Sequence, residues 1–184
     1  MVTNFYGTIS PNYQGRFQSL LDEQELQEVV FHRGLLSHKK CVESQANSSI
    51  LLYMIESIEG IELSNKFSGV LTAKIFEYIY SGVPILAIVP PWYEENLIRE
   101  TGTGFIAEPN NVVSLKDVIF DLYTKFANGT LKINPVKKEI EKFDRKVLTG
   151  KLVEIFNEMV SKWMNFIAWL LILRINENTF FKLS

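Results

Sequence analysis

The chain has 184 residues, enough for one domain with a real core, or one and a fraction. Its formal net charge of -2 removes the electrostatic case for nucleic-acid binding, which needs a basic face. The single cysteine, Cys41, excludes an intramolecular disulfide and fits a reducing compartment, and two histidines without CxxC, HExxH or clustered His/Cys spacing argue against a dedicated metal site.

The opening MVTNFYGTISPNYQG has no basic segment followed by an apolar one, so no signal peptide is expected. NFYGTI reads as a strand, and Phe17, Leu20, Leu21 and Leu26 then recur at helical spacing. EVVFHRG is a second strand stopped by Gly34, and Ser37 is placed to N-cap a helix through HKKCVESQANSS. ILLYMI is a third strand whose unbroken apolar character suits burial on both faces of a parallel sheet. The polar stretch over residues 56–69 is the longest loop-like segment, and long loops in compact domains tend to be functional or mobile. Next come a helix within GVLTAKIFEYIYSG, a strand in PILAIVP, a helix in WYEENLIRETG and a short fifth strand in GFIAEP. From Ser114 the chain is expected to be helical in three further pieces.

Repeated β-α-β units predict an α/β fold: one open parallel sheet with helices on both faces, Rossmann-like, and a helical C-terminal segment. Such sheets take ligands at the carboxyl ends of their strands. The helix that follows the third strand is therefore the first place to look. If it starts near Val70 or Leu71, its unsatisfied first-turn amides carry partial positive charge toward that edge. Ser68 and Gly69 let a ligand approach the backbone, Thr72 adds a hydroxyl, and Lys74 adds a point charge, which together suit a phosphate or diphosphate. Glu77, about one turn from Lys74, would accept from vicinal hydroxyls such as those of a ribose. The competing reading of Lys74 and Glu77 is an exposed i, i+3 pair worth about 0.2–0.5 kcal/mol. The apolar neighbours Ile75, Phe76, Tyr78 and Ile79 favour a partnered, inward-facing glutamate instead.

GVLTAKIFEYIYSGVPILAIVP followed by LIRETGTGFIAEPNN resembles the donor-binding half of GT-B fold glycosyltransferases of the retaining, sugar-nucleotide-dependent kind. FHRGLLSHKK is similar to their strand-Gly-loop before the next helix, and NFYGTI to an earlier strand-Gly turn, so the likeness runs in order over roughly residues 4 to 160. It implies that Glu77 takes the nucleotide ribose. Thr72, Lys74 and the helix start, with Gly69 and Leu71, would take the diphosphate. Gly34, Leu35 and Ser37 would line the base, with the Gly7 turn alongside. Many relatives carry a second glutamate where this chain has Gly69, so the two-glutamate motif is incomplete, which bears on the donor sugar more than on the nucleotide. The substrate is a nucleoside diphosphate-sugar, no separate cofactor is implied, and no metal-binding Asp-x-Asp is present.

The resemblance further implies a transferase, of hexosyltransferase type, in polysaccharide biosynthesis, acting on a glycan or lipid-linked acceptor. Its partner would be an acceptor-binding N-terminal domain or subunit, without which the chain would be inactive, and the chain is expected to be a fragment or split subunit without the first β-α unit of the donor domain. The alternatives are a non-catalytic nucleotide- or partner-binding module, or a sugar-nucleotide epimerase on the same fold. Glu94 and Glu95 are similar to acidic positions that relatives place near the donor sugar, and Trp92 with Tyr93 either pack locally or wall a substrate. His38 is read as a solvated residue or a ligand contact, and Gly102 with Gly104 as a turn or as a low backbone beside a donor pocket. Asp144, Arg145 and Lys146 read as a solvated helix junction. The expected domains are residues 1–162 and an apolar tail, 163–184. The apolar run 163–175, interrupted by Asn165 and Arg174, is shorter than the ~20 residues that span a bilayer. Docking on a partner domain or membrane-surface contact is expected of it, in a protein of the cytoplasm or the inner membrane face.

Overall fold

In the computed structural model the described residues are 1–55, 71–91 and 93–180, with side chains described as far as 171. Ser68, Gly69, Val70, Trp92 and the rest of the 56–69 stretch lie outside them. The chain divides into two compact units, Met1–Val136 and Lys137–Ser184.

In the first unit strands and helices alternate throughout. They are β1 (Thr3–Phe5), α1 (Pro11–Glu23), β2 (Val30–His32), α2 (His38–Ala46), β3 (Leu51–Met54), α3 (Ala73–Ser81), β4 (Ile85–Ile88), α4 (Tyr93–Thr101), β5 (Gly104–Ala107) and α5 (Val112–Ala127). Every strand pairing is parallel, as the β-α-β reading requires. The single open sheet expected from the sequence is instead two: β1 pairs with β2, and β3-β4-β5 form a separate ladder.

The core belongs to the three-stranded ladder. Ile85 and Ala87 of β4 are fully buried, and so are Ile75 of α3 and Ile98 of α4, while Ile79 and Leu97 are 2% exposed. The alternate row, Leu86 with Ala107, packs with Leu122 of α5 and with Leu52, Ile88, Phe105, Leu115, Val118 and Ile119. A strand with both faces covered reads as a continuous apolar run, and ILAI does. Burying each such aliphatic side chain contributes about 1.5–3 kcal/mol.

Punctuation in the sequence sets the ends of α3. Gly82 takes the left-handed conformation at φ 72 as the C-cap, the Val83 amide donates to the Ser81 hydroxyl at 3.1 Å, and Pro84 then leads into β4. At the amino end the helix starts later than expected. Ala73 is its first residue and Thr72 the N-cap, with extended φ -79 and ψ 145. The first-turn amides are therefore those of Ala73 and Lys74.

Two glycines near the start of β5 are structural. Gly102 has φ +62, and a Cβ there would collide with the Asn134 carbonyl. A Cβ on Gly104 would overlap the Ile85 carbonyl oxygen and come within 2.8 Å of the Ile85 Cβ. Close approach of β5 to β4 thus demands glycine at 104.

The second unit holds α6 (Lys137–Glu141) and α7 (Arg145–Phe180). Asp144 caps α7, its Oδ1 accepting from the amides of Lys146 at 2.7 Å and Val147 at 3.2 Å. α7 runs without a break across Lys162, and the division between units falls at 136/137. Residues 145–171 are all exposed, including Leu152, Phe156, Trp163, Phe166, Trp169 and Leu170. Trp163, Phe166 and Trp169 form an aromatic ladder with centroids 6.3 and 6.4 Å apart. No described helix is long and apolar enough to cross a membrane.

Gly104→Ala should destabilise the first unit by about 1–3 kcal/mol, because the strands must part to admit a methyl group. A denaturant melt with an unchanged midpoint would contradict that. Removing residues 163–184 should leave the α/β unit folded and make the chain more soluble and more monomeric, since exposed apolar surface drives association. Sedimentation and circular dichroism of the truncated chain check both halves of this expectation.

Candidate functional site

The carboxyl ends of β3 and β4 and the loops that follow them collect the polar chemistry of the first unit. Tyr53 on β3 is 3% exposed. Its hydroxyl lies 3.2 Å from the Thr72 hydroxyl, and its ring meets Tyr78 edge-on at 6.4 Å. Burial raises the Tyr53 phenol pKa above its usual value near 10. The Thr72 hydrogen bond opposes the shift, and the charge of nearby Glu94 adds to it. The phenol therefore stays protonated at neutral pH and can donate. Thr72 makes no side-chain cap to α3. Its hydroxyl is engaged by Tyr53, which leaves the Ala73 and Lys74 amides without a capping side chain among the described residues.

Glu77 is not turned inward. Its side chain is 41% exposed. Helix geometry explains why the sequence misleads. The apolar neighbours at 76 and 78 are 100° away around the helix, and the buried stripe is Ile75 and Ile79, on the far side. Nor does Glu77 pair with Lys74. Its Oε1 lies 3.6 Å from His38 Nε2 and its Oε2 accepts from Gln45 Nε2 at 3.4 Å. Gln45 also reaches the Cys41 sulfur at 3.5 Å. Burial raises the Tyr78 pKa, with Cys41 and Glu77 adding to it. The glutamate thus has partners, but they come from α2 and not from its own helix.

The α2 side of this cluster was legible. Ser37 is the N-cap, its hydroxyl accepting from the Lys40 amide at 3.5 Å. His38, Cys41 and Gln45 stand at i, i+3 and i+7, one stripe of the helix. Gln45, which the sequence reading does not name, lies on the same stripe and is found by that spacing alone.

Gly7 and Gly34 close the carboxyl ends of β1 and β2 with φ of 131 and 72. They meet directly: the Gly7 amide donates to the Gly34 carbonyl at 2.9 Å, and His32 Nε2 is 2.8 Å from the Gly7 carbonyl. Leu35, just beyond, is 75% exposed. Of the expected residues, Gly7, Gly34, Leu35 and Ser37 thus gather at the ends of β1 and β2. Leu71, Thr72, Lys74 and Glu77 gather at the end of β3, joined to the first group through His38. Gly69 lies outside the described residues.

Glu94 escaped full notice. It is 1% exposed, and its Oε2 has no hydrogen-bond partner among the described residues. Glu94, Leu97, Ile98 and Thr101 are all buried and stand at i, i+3, i+4 and i+7, so the periodicity does put this glutamate on the core face of α4. Its place in the first turn of α4 lets the helix dipole favour its charge. Glu95, one residue on, is merely bonded to Arg99 at 2.8 Å.

Gly102 and Gly104 stand elsewhere. They border a concavity of about 330 Å³ with Ile98, Arg99, Phe105 and Lys132, at the amino end of β5, away from the carboxyl edge. That hollow offers two cations, one of them held by Glu95, and no hydroxyl or carboxylate chemistry. The polar cluster at the strand ends is the better candidate, because it combines amide donors, hydroxyls, a lysine and an accessible carboxylate, which the hollow does not. Among the described residues no group of three or more His, Cys, Asp or Glu could hold a metal ion.

Compared with models of protein families and with curated protein sequences, the chain matches none.

Proposed function

We propose that the chain is the donor-binding domain of a retaining GT-B glycosyltransferase, holding a nucleoside diphosphate-sugar while a separate acceptor domain or subunit supplies the other wall of the cleft. One observation carries this reading. Glu77 is an accessible carboxylate one turn from Lys74 and from the uncapped start of α3, at the carboxyl edge of a parallel ladder. A carboxylate repels phosphate and accepts from vicinal hydroxyls, whereas amide donors and an ammonium attract phosphate. A ligand satisfying both at that spacing carries a diphosphate next to a sugar.

In this reading Glu77 accepts from the ribose, displacing His38, whose ion pair at 3.6 Å is long and 81% exposed on the histidine side. The Ala73 and Lys74 amides and the Lys74 ammonium face the diphosphate. As the bond to the sugar breaks, negative charge grows on the leaving diphosphate, and these fixed donors stabilise it without reorganising. The exposed Leu35 side chain and the Gly34 turn take the base, and the Gly7 turn closes beside them. The transferred group is a hexose, the acceptor a glycan or lipid-linked glycan of polysaccharide biosynthesis. The setting is the cytoplasm, with the apolar end of α7 toward the inner membrane face.

Glu77→Gln should weaken binding of uridine or guanosine diphosphate by about 1–3 kcal/mol, as for loss of a charged hydrogen-bond acceptor. Titration calorimetry giving wild-type affinity for both would remove the ribose role. The purified 184-residue chain should transfer no sugar from a nucleotide-sugar to an acceptor. Formation of a glycosylated product would refute the two-part cleft, whereas slow hydrolysis of the donor is compatible with it.

A further inference from the structure

The second unit carries an apolar surface left open. One row of α7 runs from Leu148 to Leu170 through Leu152, Ile155, Met159, Trp163 and Phe166, and a second row beside it holds Val153, Phe156, Val160, Met164 and Ile167. These side chains are 45% to 65% exposed. Together they present on the order of 1,000 Å², where a monomer rarely shows more than a few hundred and a standard interface takes roughly 800 Å² from each partner. Lipid is one possible cover for such a face. The polar stripe of α7, with Lys151 and Lys162 against Glu154 and Glu158, has no net charge to draw it to an anionic surface. No described helix is long and apolar enough to cross a membrane.

Spacing says what fits. The first row steps by four and three residues in an order that reads the same in both directions from Met159, and the second row does so from Val160. A second α7 laid antiparallel on the first row therefore matches it in an isologous contact. Leu148 then meets Leu170, Leu152 meets Phe166, Ile155 meets Trp163, and Met159 meets its own copy. Large faces small, as interdigitation requires. A parallel copy would instead stack Trp163 on Trp163 and set Lys162 beside Lys162. Charge selects the same orientation: in the antiparallel register Lys162 falls only about 3 Å along the axis from Glu158 of the second copy. The pattern recurs from Leu148 to Met159 to Leu170, an 11-residue repeat that keeps the row on one side of a nearly straight helix.

The second row is displaced from the first by one residue, hence by about 100° around the helix. One neighbouring helix cannot cover both rows. Two neighbours set near a right angle can, and that is the geometry of a four-helix bundle. We propose that α7 is an assembly helix, and that four copies of the chain join through it in an antiparallel bundle, each row seating one neighbouring copy. Every contact in such a bundle lies on a two-fold axis, so the assembly closes without leaving a row open. It does not depend on the glycosyltransferase reading.

Sedimentation equilibrium of the full chain should give four times its 21.2 kDa mass. Met159→Lys breaks the first row and Val160→Lys the second, so each should give a dimer, and the double variant a monomer with unchanged circular dichroism. Orientation is read in a Cys41→Ser background. There Met159→Cys should form an intermolecular disulfide on oxidation. Leu148→Cys should not, because its thiols in paired copies lie about 33 Å apart. A native chain that stays monomeric or stops at a dimer overturns the bundle, as does a tetramer that survives the double substitution. Linkage through Leu148→Cys, or none through Met159→Cys, overturns the antiparallel pairing. Flotation of the chain on phosphatidylserine vesicles with loss of the tetramer would assign the face to lipid and overturn the assembly too.

Discussion

The first unit depends on the burial of β4 on both faces. Ile85 and Ala87 fill one side, Leu86 and Ile88 the other, and the strand is hydrogen-bonded to β3 and β5 along both edges. A strand so enclosed cannot slip by one residue without exchanging its two apolar rows. The register of β3 and β5 follows from it, and Gly104 is the point where fit is tightest. With register set, the carboxyl ends of three parallel strands fall on one edge. The polar residues that follow β3 and β4 are therefore delivered together. Tyr53, Thr72 and Glu94 interact because the ladder puts them there, although they are far apart in the chain.

The other half of the unit is held more lightly. β1, α1 and β2 contribute no buried side chain, and their best-defined packing is the edge-on contact of Phe5 with Phe17 at 6.2 Å. What joins this half to the ladder is polar and partly exposed: Gln45 and His38 of α2 on Glu77 of α3. The exposed His38–Glu77 contact, a charge pair only when the imidazole is protonated, contributes little, about 0–1 kcal/mol. Elements with few buried contacts open locally at low cost, and the α2–α3 seam is thus the soft part of the unit. The candidate ligand residues straddle that seam, with Glu77 on the rigid side and Ser37 and His38 on the softer one. A ligand bridging them would add stability where the fold has least.

The second unit poses the opposite problem. α7 has a good start, with Asp144 satisfying two amides, and then exposes a broad apolar face opposite a polar stripe of Lys151, Glu154, Glu158, Lys162 and Asn165. Thirty-six residues of helix extend about 54 Å, far beyond what a short amphipathic stripe would need. An apolar face of that breadth is stable only when covered. The aromatic ladder at Trp163, Phe166 and Trp169 covers a small part of one side and nothing else.

Local sequence determined most of the elements and their order. Continuous apolar runs gave the strands, Ser37 gave a helix start, and the Gly82–Val83–Pro84 break ended α3 where expected, because each acts through its own backbone conformation or its nearest neighbours. Facing was legible wherever period was read in place of adjacency: the stripes His38–Cys41–Gln45 and Glu94–Leu97–Ile98–Thr101 are both visible in the sequence. Adjacency misplaced Glu77, whose apolar neighbours lie on other faces of the helix. What only the tertiary structure decided is everything that depends on two segments meeting. The engagement of Thr72 by Tyr53 accompanies a helix start later than propensity suggests, the partnering of Glu77 comes from α2, and the described strands pair as two ladders, β1-β2 and β3-β4-β5. Strand propensity is a property of one segment, whereas pairing needs the backbone of another, so no reading of the strands one by one could have shown which of them would pair with which.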